Sequence, residues 1–218
     1  MAVRRESVRA KRERTAEITA RLRQAYPDTR CALNFNNPFE LLVATVLSAQ
    51  CTDERVNAAT PELFRRFPGP RELAAAPVEE VEELVRTTGF YRNKAKMIRG
   101  LAQALALEHE GEVPPRMDAL RALPGVGRKT ANVVLGNAFD LREGVVVDTH
   151  VHRLSRRLGL TQEDDPEKIE RDLMELVPRD DWTVFSLLLM DHGRKICKAR
   201  KPMCAICPVA DLCPSAEV

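Results

Sequence analysis

Apolar residues recur at intervals of three and four positions along most of the chain, which is the spacing of one buried face of an α-helix. The only strand-like fragment is the run of valines at 145–147. Pro61, Pro77 and Pro166 are placed for the first turns of helices. Asp165 is placed to cap the last of these helices. The sequence therefore predicts an all-α protein.

The pattern predicts ten helices and a loop at 107–116 that contains one glycine and two prolines. With 218 residues, 44% of them hydrophobic, the chain can bury one large core or two modest ones. No internal repeat or low-complexity segment interrupts the pattern. The helices are predicted near residues 7–25, 38–50, 53–66, 78–86, 92–109, 116–122, 128–138, 149–158, 166–176 and 181–192.

The net charge of +2 hides an uneven distribution of charge. Residues 1–30 hold nine Lys or Arg against four Asp or Glu, and residues 194–201 hold five basic residues and no acid. Such polarity fits a polyanionic partner, and ordinary solvated helix faces are the alternative. No apolar run approaches the roughly 18 residues that span a membrane, and no signal-type stretch is present. We therefore expect a cytoplasmic, reducing environment.

Four cysteines have the spacing Cys197-x6-Cys204-x2-Cys207-x5-Cys213, and the first of them lies in the basic run at 194–201. Thiolates are soft ligands that suit an iron–sulfur cluster or zinc. Proline follows Cys207 and Cys213, as it does in other iron–sulfur sequences. We therefore expect a [4Fe–4S] cluster in a loop over 197–213. A structural zinc site is the alternative, whereas disulfides are disfavoured in a reducing compartment.

A second motif joins two predicted helices through Leu123-Pro124-Gly125-Val126-Gly127. The glycines allow a tight turn and a close approach of a ligand to the peptide groups. The second helix begins with unpaired N–H groups and the positive end of its dipole, so a phosphate should bind there. Many helix turns contain Gly-x-Gly, but the following Arg128-Lys129-Thr130-Ala131 makes the motif typical of a helix-hairpin-helix. Such a motif binds DNA phosphates without reading bases.

Lys129 lies in the first turn of that second helix, where a positive charge is electrostatically disfavoured. We therefore expect part of its amine to be neutral near neutral pH and able to form a Schiff base with an aldehyde-like carbon. A surface lysine that only touches phosphate is the alternative. Asp148 precedes Thr149-His150-Val151 and is predicted to cap a helix, which is compatible with a catalytic role. His150 and His152 would not share one helix face, which argues against a histidine metal site.

The segments 123–131 and 147–150 and the cysteine spacing together resemble the endonuclease III family. Its members are bifunctional DNA glycosylases and AP lyases of the helix-hairpin-helix superfamily. The likeness runs from about Leu22 to Cys213. It implies an all-α, two-lobed molecule with a six-helix barrel over 31–141, which includes the hairpin at about 116–138. An iron–sulfur cluster domain would combine 1–30 with 142–218, and damaged double-stranded DNA would lie across the groove between the lobes.

The resemblance implies a reaction. Lys129 would attack the anomeric carbon of a damaged nucleotide after its base is flipped from the stack. Asp148 would stabilise positive charge on the sugar and move protons, and the Schiff base would undergo β-elimination of the 3′ phosphate. The implied substrates are oxidised, ring-saturated or ring-opened pyrimidines and abasic sites.

The resemblance also implies DNA contacts. Gln50 would fill the space left by the extruded base, and Phe90 would wedge beside the orphaned base. Local pattern alone would make Gln50 a polar helix end and Phe90 a core residue. Phe90 is larger than an aliphatic wedge, and basic residues 1–14, which extend beyond the likeness, suggest a flexible arm that contacts DNA. The remaining predicted DNA contacts are Leu123, Gly125, Val126, Gly127, Arg128, Lys195 and Lys198.

Two rival functions differ from this reading. A monofunctional adenine glycosylase of the same superfamily would lack a lysine at position 129, would carry glutamate in place of Thr45 and would add a carboxy-terminal domain. A non-catalytic iron–sulfur protein that binds DNA or senses redox state would process no lesion. We expect a monomeric enzyme in the cytoplasm, associated with the nucleoid if the source is a prokaryote.

Overall fold

The computed structural model describes residues 6–217, and within that range all regular secondary structure is helical. Short 3₁₀ helices occupy Arg86–Thr88, Arg179–Asp181, Cys204–Ile206 and Ala210–Leu212. The α-helices are α1 Val8–Ala25, α2 Pro38–Leu47, α3 Asp53–Arg66, α4 Pro70–Ala75, α5 Val78–Leu84, α6 Tyr91–Glu108, α7 Met117–Ala122, α8 Arg128–Ala138, α9 Thr149–Arg157, α10 Pro166–Leu176 and α11 Trp182–Lys195.

The all-α prediction is confirmed, and each predicted helix has a counterpart. α4 was not predicted, because it is six residues long and buries only Leu73. The valines at 145–147 form no strand; instead the amide of Val146 donates to Ser186 Oγ at 3.0 Å. Asp165 caps α10 as predicted, since its carboxylate accepts from two backbone amides in the first turn.

Two local predictions were wrong. Pro61 lies inside α3 instead of in its first turn. It removes one helical hydrogen bond, and its exposed position lets water reach the carbonyl left without a partner. α2 ends at Leu47, not near residue 50, because Gln50 adopts a left-handed φ of 53° that no helix continues.

Internal contacts divide the chain into two compact units. The hairpin unit is Cys31–Glu143, and the cluster unit is Met1–Arg30 with Gly144–Val218. The hairpin unit is built on α2, whose residues are apolar except for Glu40 and Thr45, and every residue from Phe39 to Leu47 is buried. Asn37 caps α2 by accepting from the amide of Glu40 at 2.9 Å. Both α6 and α8 pack against α2.

The cluster unit has its own core, formed by apolar faces of α1, α9, α10 and α11. Ile18 and Leu22 of α1 are fully buried there with Phe185 of α11. The loop 197–213 contributes little to this core, because Val209 is its one fully buried apolar residue. Within the described residues, no helix has the length and apolar character needed to cross a membrane.

The expected flexible arm over residues 1–14 is wrong from Val8 onward, where α1 begins. Arg14 Nη1 donates to the carbonyls of Leu158 at 2.7 Å and Leu212 at 3.1 Å. Arg12 Nε donates to the carbonyl of Glu175 at 2.8 Å. These arginines therefore fasten α1 to the carboxy-terminal part of the cluster unit. Residues 1–5 lie outside the described part of the chain.

Candidate active site and nucleic-acid interface

The predicted hairpin is formed by α7, a four-residue turn that ends at Val126, and α8. Leu123 and Val126 are buried at 3% and 6% exposure, and the amide of Val126 donates to the carbonyl of Leu123 at 3.2 Å. Their side chains anchor the turn in the core, so any contact that they make with DNA passes through the backbone. Gly127 caps α8 without a side-chain hydrogen bond, and the first turn holds no acidic residue. The amides at the start of α8 are therefore suited to an external anion.

The two glycines of the turn have different roles. Gly125 has a φ of 76°, and a Cβ there would lie 2.7 Å from Met97 Cε and 3.7 Å from Val46 Cγ1. Gly127 has an ordinary φ of −89°, and a Cβ there would meet nothing within 4 Å. Gly125 is thus required by the fold, whereas Gly127 leaves open space in front of the backbone.

Lys129 is exposed in the first turn of α8, next to this open backbone. Its side-chain amine makes no hydrogen bond or ion pair with any residue in the range 6–217. Its amine is therefore accessible to a ligand held at the start of α8. The positive end of the helix dipole lies on the same side.

Asp148 caps α9, as predicted. Its Oδ1 accepts from the amides of His150 at 2.9 Å and Val151 at 2.8 Å. Both bonds use Oδ1, which fixes the orientation of the carboxylate and leaves Oδ2 available to a further partner. The side chain is half-buried. This arrangement suits a carboxylate that must stabilise a nearby positive charge or exchange a proton.

Gln50 and Phe90 both stand on turns with left-handed backbone. Their φ angles are 53° and 48°, and both side chains are exposed, Phe90 at 65%. A large aromatic residue with positive φ is a rare backbone state, and such strain concentrates at functional sites. Phe90 is therefore not a core residue, contrary to what local pattern alone suggests.

One packing node links these turns to the hairpin. α6 begins directly after Phe90, and two turns later its Met97 lies against Gly125. Val46, near the end of α2 and four residues before Gln50, has its Cγ1 3.7 Å from where a Cβ of residue 125 would lie. The hairpin turn is therefore bordered by side chains of α6 and α2, the helices that adjoin the Phe90 and Gln50 turns.

In the cluster unit, Arg153 ties the Asp148 helix to the cysteine loop. Its Nη2 donates to the carbonyls of Gly193 and Cys197 and to His150 Nδ1, each at 3.1 Å. Burial lowers the pKa of His150, which suits its role as an acceptor. The start of α9 and the start of the cysteine loop are thus joined by one guanidinium.

The four cysteines line one cavity of about 360 Å³ in the cluster unit. All are half-buried and none is in a disulfide. Burial raises the pKa of the Cys207 and Cys213 thiols, and the neighbouring cysteines add to this effect. A metal centre would displace those protons on binding.

The four cysteines offer soft thiolate ligands around one cavity, which suits an iron–sulfur cluster. Zinc would draw four sulfurs to about 2.3 Å from one point. A [4Fe–4S] cluster instead fills the space between its cysteines with iron and sulfide. The donor set and the cavity therefore fit the predicted cluster.

Arginine also holds the cysteine loop. Arg157 donates to the carbonyls of Lys198 at 2.8 Å and Ala199 at 2.7 Å, and to Cys197 Sγ at 3.3 Å. Lys198 is exposed at the surface. The exposed Lys195 lies over the Tyr26 ring, with Nζ 4.8 Å from its centroid. The predicted basic surface therefore consists of side chains mounted on an organised loop.

One charged residue near the surface turns was missed from the sequence. Lys94 of α6 is 4% exposed, and its Nζ donates to the carbonyl of Thr88 at 2.7 Å. Its position was readable, because Lys94, Ile98, Leu101 and Leu105 form the buried i, i+4, i+7, i+11 stripe of α6. A lysine on that stripe signals a buried ammonium.

Comparison with known sequences gives consistent matches. The HhH-GPD superfamily of base excision DNA repair proteins matches residues 43–179, and the iron-sulfur binding domain of endonuclease III matches residues 197–213. Endonuclease III of Synechocystis sp. is 55% identical over 95% of both chains. Endonuclease III of Escherichia coli K12 is 43% identical over 92% of this chain and 95% of its own.

Solved structures agree with the sequence matches. A non-covalent endonuclease III–DNA complex superposes with a TM-score of 0.89 at 42% identity, over 94% of this chain and 96% of that one. A trapped endonuclease III–DNA covalent intermediate matches equally well. A thermostable thymine-DNA glycosylase, at 24% identity and a TM-score of 0.85, shares the fold. The predicted helix-hairpin-helix glycosylase fold is confirmed.

Proposed function

The chain belongs to the endonuclease III family, and from that premise we propose that Lys129 is its nucleophile and Asp148 its catalytic carboxylate. Family membership confirms the resemblance drawn from the motifs. The chain is a DNA glycosylase and AP lyase of base-excision repair that removes oxidised pyrimidines from double-stranded DNA. The observation that carries the residue assignment is the exposed Lys129 amine beside the open, uncapped start of α8.

The proposed chemistry begins with phosphate binding at α8. Backbone amides of the hairpin hold a phosphate of the damaged strand, which brings the sugar within reach of Lys129. The neutral amine attacks C1′ as the bond to the damaged base breaks, and the base leaves with a proton. The sugar ring opens to a protonated Schiff base between Nζ and C1′. Loss of a C2′ proton then expels the 3′ phosphate, and water releases the lysine.

Asp148 supports two of these steps. Positive charge develops on the sugar as the base leaves and stays on the Schiff base, and a fixed carboxylate stabilises both. Because the two α9 amides hold Oδ1, the carboxylate needs little reorganisation as charge develops. Its Oδ2 can accept and return a proton. The helix cap and the catalytic group are then one side chain.

The two left-handed turns carry the residues proposed to contact DNA around the extruded base. We propose that Gln50 fills the space of the flipped nucleotide and that Phe90 wedges beside the orphaned base. Their exposure and rigid left-handed turns support these roles. Backbone groups from 123 to 127 and the Arg128 side chain hold phosphate, and Lys195 and Lys198 add contacts from the cluster unit.

The protein carries a [4Fe–4S] cluster, as its match to the iron-sulfur binding domain of endonuclease III indicates. We propose Cys197, Cys204, Cys207 and Cys213 as its ligands. When bound, the cluster supplies metal–thiolate bonds that organise the basic loop. Because cysteine fills all four ligand positions, its proposed role is to shape the surface that carries Lys195 and Lys198.

We also propose that the hairpin unit corresponds to the six-helix barrel domain, with α4 as an additional short helix, and the cluster unit to the iron–sulfur domain. Because a protein that acts on DNA must share its compartment, we propose that the enzyme works in the cytoplasm, with the nucleoid if the source is a prokaryote. We expect a monomer, which sedimentation equilibrium would establish.

The test is borohydride trapping. Purified protein is incubated with duplex DNA that carries one thymine glycol or one abasic site, with and without borohydride, beside Lys129→Ala. Strand cleavage and a trapped covalent complex, both abolished by Lys129→Ala, are expected. Base release without trapping would indicate a monofunctional glycosylase. Absence of both products would indicate a binding or sensing protein.

A further inference from the structure

The buried ammonium of Lys94 brackets the turn that carries Phe90. The Lys94 amide donates to the carbonyl of Phe90 at 3.1 Å, and its Nζ donates to the carbonyl of Thr88 at 2.7 Å. Thr88 is itself buried, and its hydroxyl donates to the carbonyl of Val85 at 2.8 Å. Lys94 thus holds the residues on both sides of Gly89, whose φ is 71°. Phe90, the residue at the start of α6, makes no side-chain cap hydrogen bond.

The carbonyl that Lys94 bonds lies on a fixed part of the hairpin unit. The 3₁₀ helix Arg86–Thr88, which ends at that carbonyl, packs against α3 and α6. The bond from Lys94 therefore ties the Phe90 turn to a packed segment.

The contribution of this lysine is its bond to the turn. A buried ammonium loses its hydration, and burial accordingly lowers the pKa of Lys94. A methionine would continue the apolar stripe of α6 without that cost. It would, however, leave the carbonyl of the buried Thr88 without its donor. What the lysine adds to α6 is therefore a hydrogen bond that only a long donor side chain can make.

We propose that Lys94 is a positioning residue that holds the Phe90 turn in its left-handed conformation. This inference rests on the proposed insertion of Phe90 into damaged DNA. Lys94 acts through those residues, because its amine is buried and hydrogen-bonded to the protein backbone. Without the hydrogen bonds of Lys94, the turn at Gly89 relaxes, and Phe90 enters the duplex less often.

The test is a double-mutant cycle with Lys94→Met and Phe90→Ala. Lys94→Met is expected to lower the melting temperature by no more than a few degrees, because the Thr88 carbonyl loses its donor, and to lower kcat/KM on thymine glycol duplex about tenfold or more at temperatures where the protein is folded. The fluorescence of a 2-aminopurine placed opposite the lesion should rise less when this variant binds. Phe90 inserts less often and therefore unstacks that base less. In the Phe90→Ala background, Lys94→Met should cause no further loss. Lys96→Met, at an exposed position of α6, measures what the loss of one charge does alone.

The outcomes separate the two proposals. Additive losses, or a Lys94→Met enzyme with normal rate and normal 2-aminopurine signal, would overturn the positioning role while the wedge role stands. Full activity of Phe90→Ala would overturn the wedge and, with it, the inference. Should Lys94→Met fail to fold, Lys94→Gln removes the charge and keeps an N–H donor. The same absence of additivity with Phe90→Ala is then expected.

Discussion

The turns of the hairpin unit and the loop of the cluster unit hold their functional residues by different means. Gln50, Phe90 and Gly125 stand on left-handed turns that rest on a continuous apolar core. The loop 197–213 is instead held by hydrogen bonds from arginine side chains to its backbone carbonyls, and it buries one apolar residue completely. Hydrophobic packing can support the first arrangement by itself.

The difference identifies where the cofactor matters. A segment with little apolar burial gains too little from the hydrophobic effect to offset the entropy of ordering its backbone. Metal–thiolate bonds supply what packing does not. The hairpin unit should therefore keep its fold without the cluster, while the basic loop and the α9 start joined to it by Arg153 should not.

The largest effect expected from one substitution is that of Cys204→Ser. Since binding of a structural metal centre can contribute on the order of 10 kcal/mol to folding, loss of one ligand should give colourless, unstable protein. Visible absorbance and thermal unfolding measure both properties. Cys31→Ser makes the same chemical change in the hairpin unit and should keep the colour. A soluble, coloured and fully active Cys204→Ser protein would refute the proposed ligand role.

Substitutions of Asp148 separate the helix cap from the catalysis. Asparagine caps helices as well as aspartate, so Asp148→Asn should keep the free energy of unfolding, whereas Asp148→Ala should lose about 1 kcal/mol. Both should lower the rate of base release by about 10²–10⁴-fold, because both remove the carboxylate. Chemical denaturation and single-turnover kinetics provide the readouts. An active Asp148→Asn enzyme would leave Asp148 with a structural role only.

Much of this organisation was readable from sequence because its signals are local. The hairpin motif and the cysteine spacing each lie within about 20 consecutive residues, and ten helices follow from apolar periodicity. The left-handed turns were not readable, since neither Gln50 nor Phe90 is a residue that favours positive φ. Lys94 was missed because a lysine is ordinarily assigned to the surface, although the α6 stripe places it inside.

Substitutions of Gly125 and Gly127 separate the effects of packing and of ligand access within one turn. Gly125→Ala should destabilise the protein by about 1–2 kcal/mol, because its φ is left-handed and Met97 occupies the space of a Cβ. Gly127→Ala should fold normally but weaken lesion-duplex binding by about 1.5–3 kcal/mol, the worth of one charge-assisted amide–phosphate bond. Unfolding curves and titrations by fluorescence anisotropy distinguish the two. Equal effects of both changes on stability would contradict the distinction.

The smallest effect concerns the amino terminus. Deletion of residues 1–5 removes Arg4 and Arg5, and should lower the slope of log affinity against log salt by up to about 2. α1 should remain attached, since Arg12 and Arg14 are retained. Unchanged affinity and slope across a salt series would exclude a DNA contact by these residues.

A peptide map of the borohydride-reduced complex with abasic DNA tests most directly whether Lys129 is the nucleophile. After digestion of protein and DNA, mass spectrometry locates the sugar remnant on one residue. We expect the sugar remnant on Lys129, at the start of α8. A remnant on another lysine or on the amino terminus, with Lys129 unmodified, would contradict it.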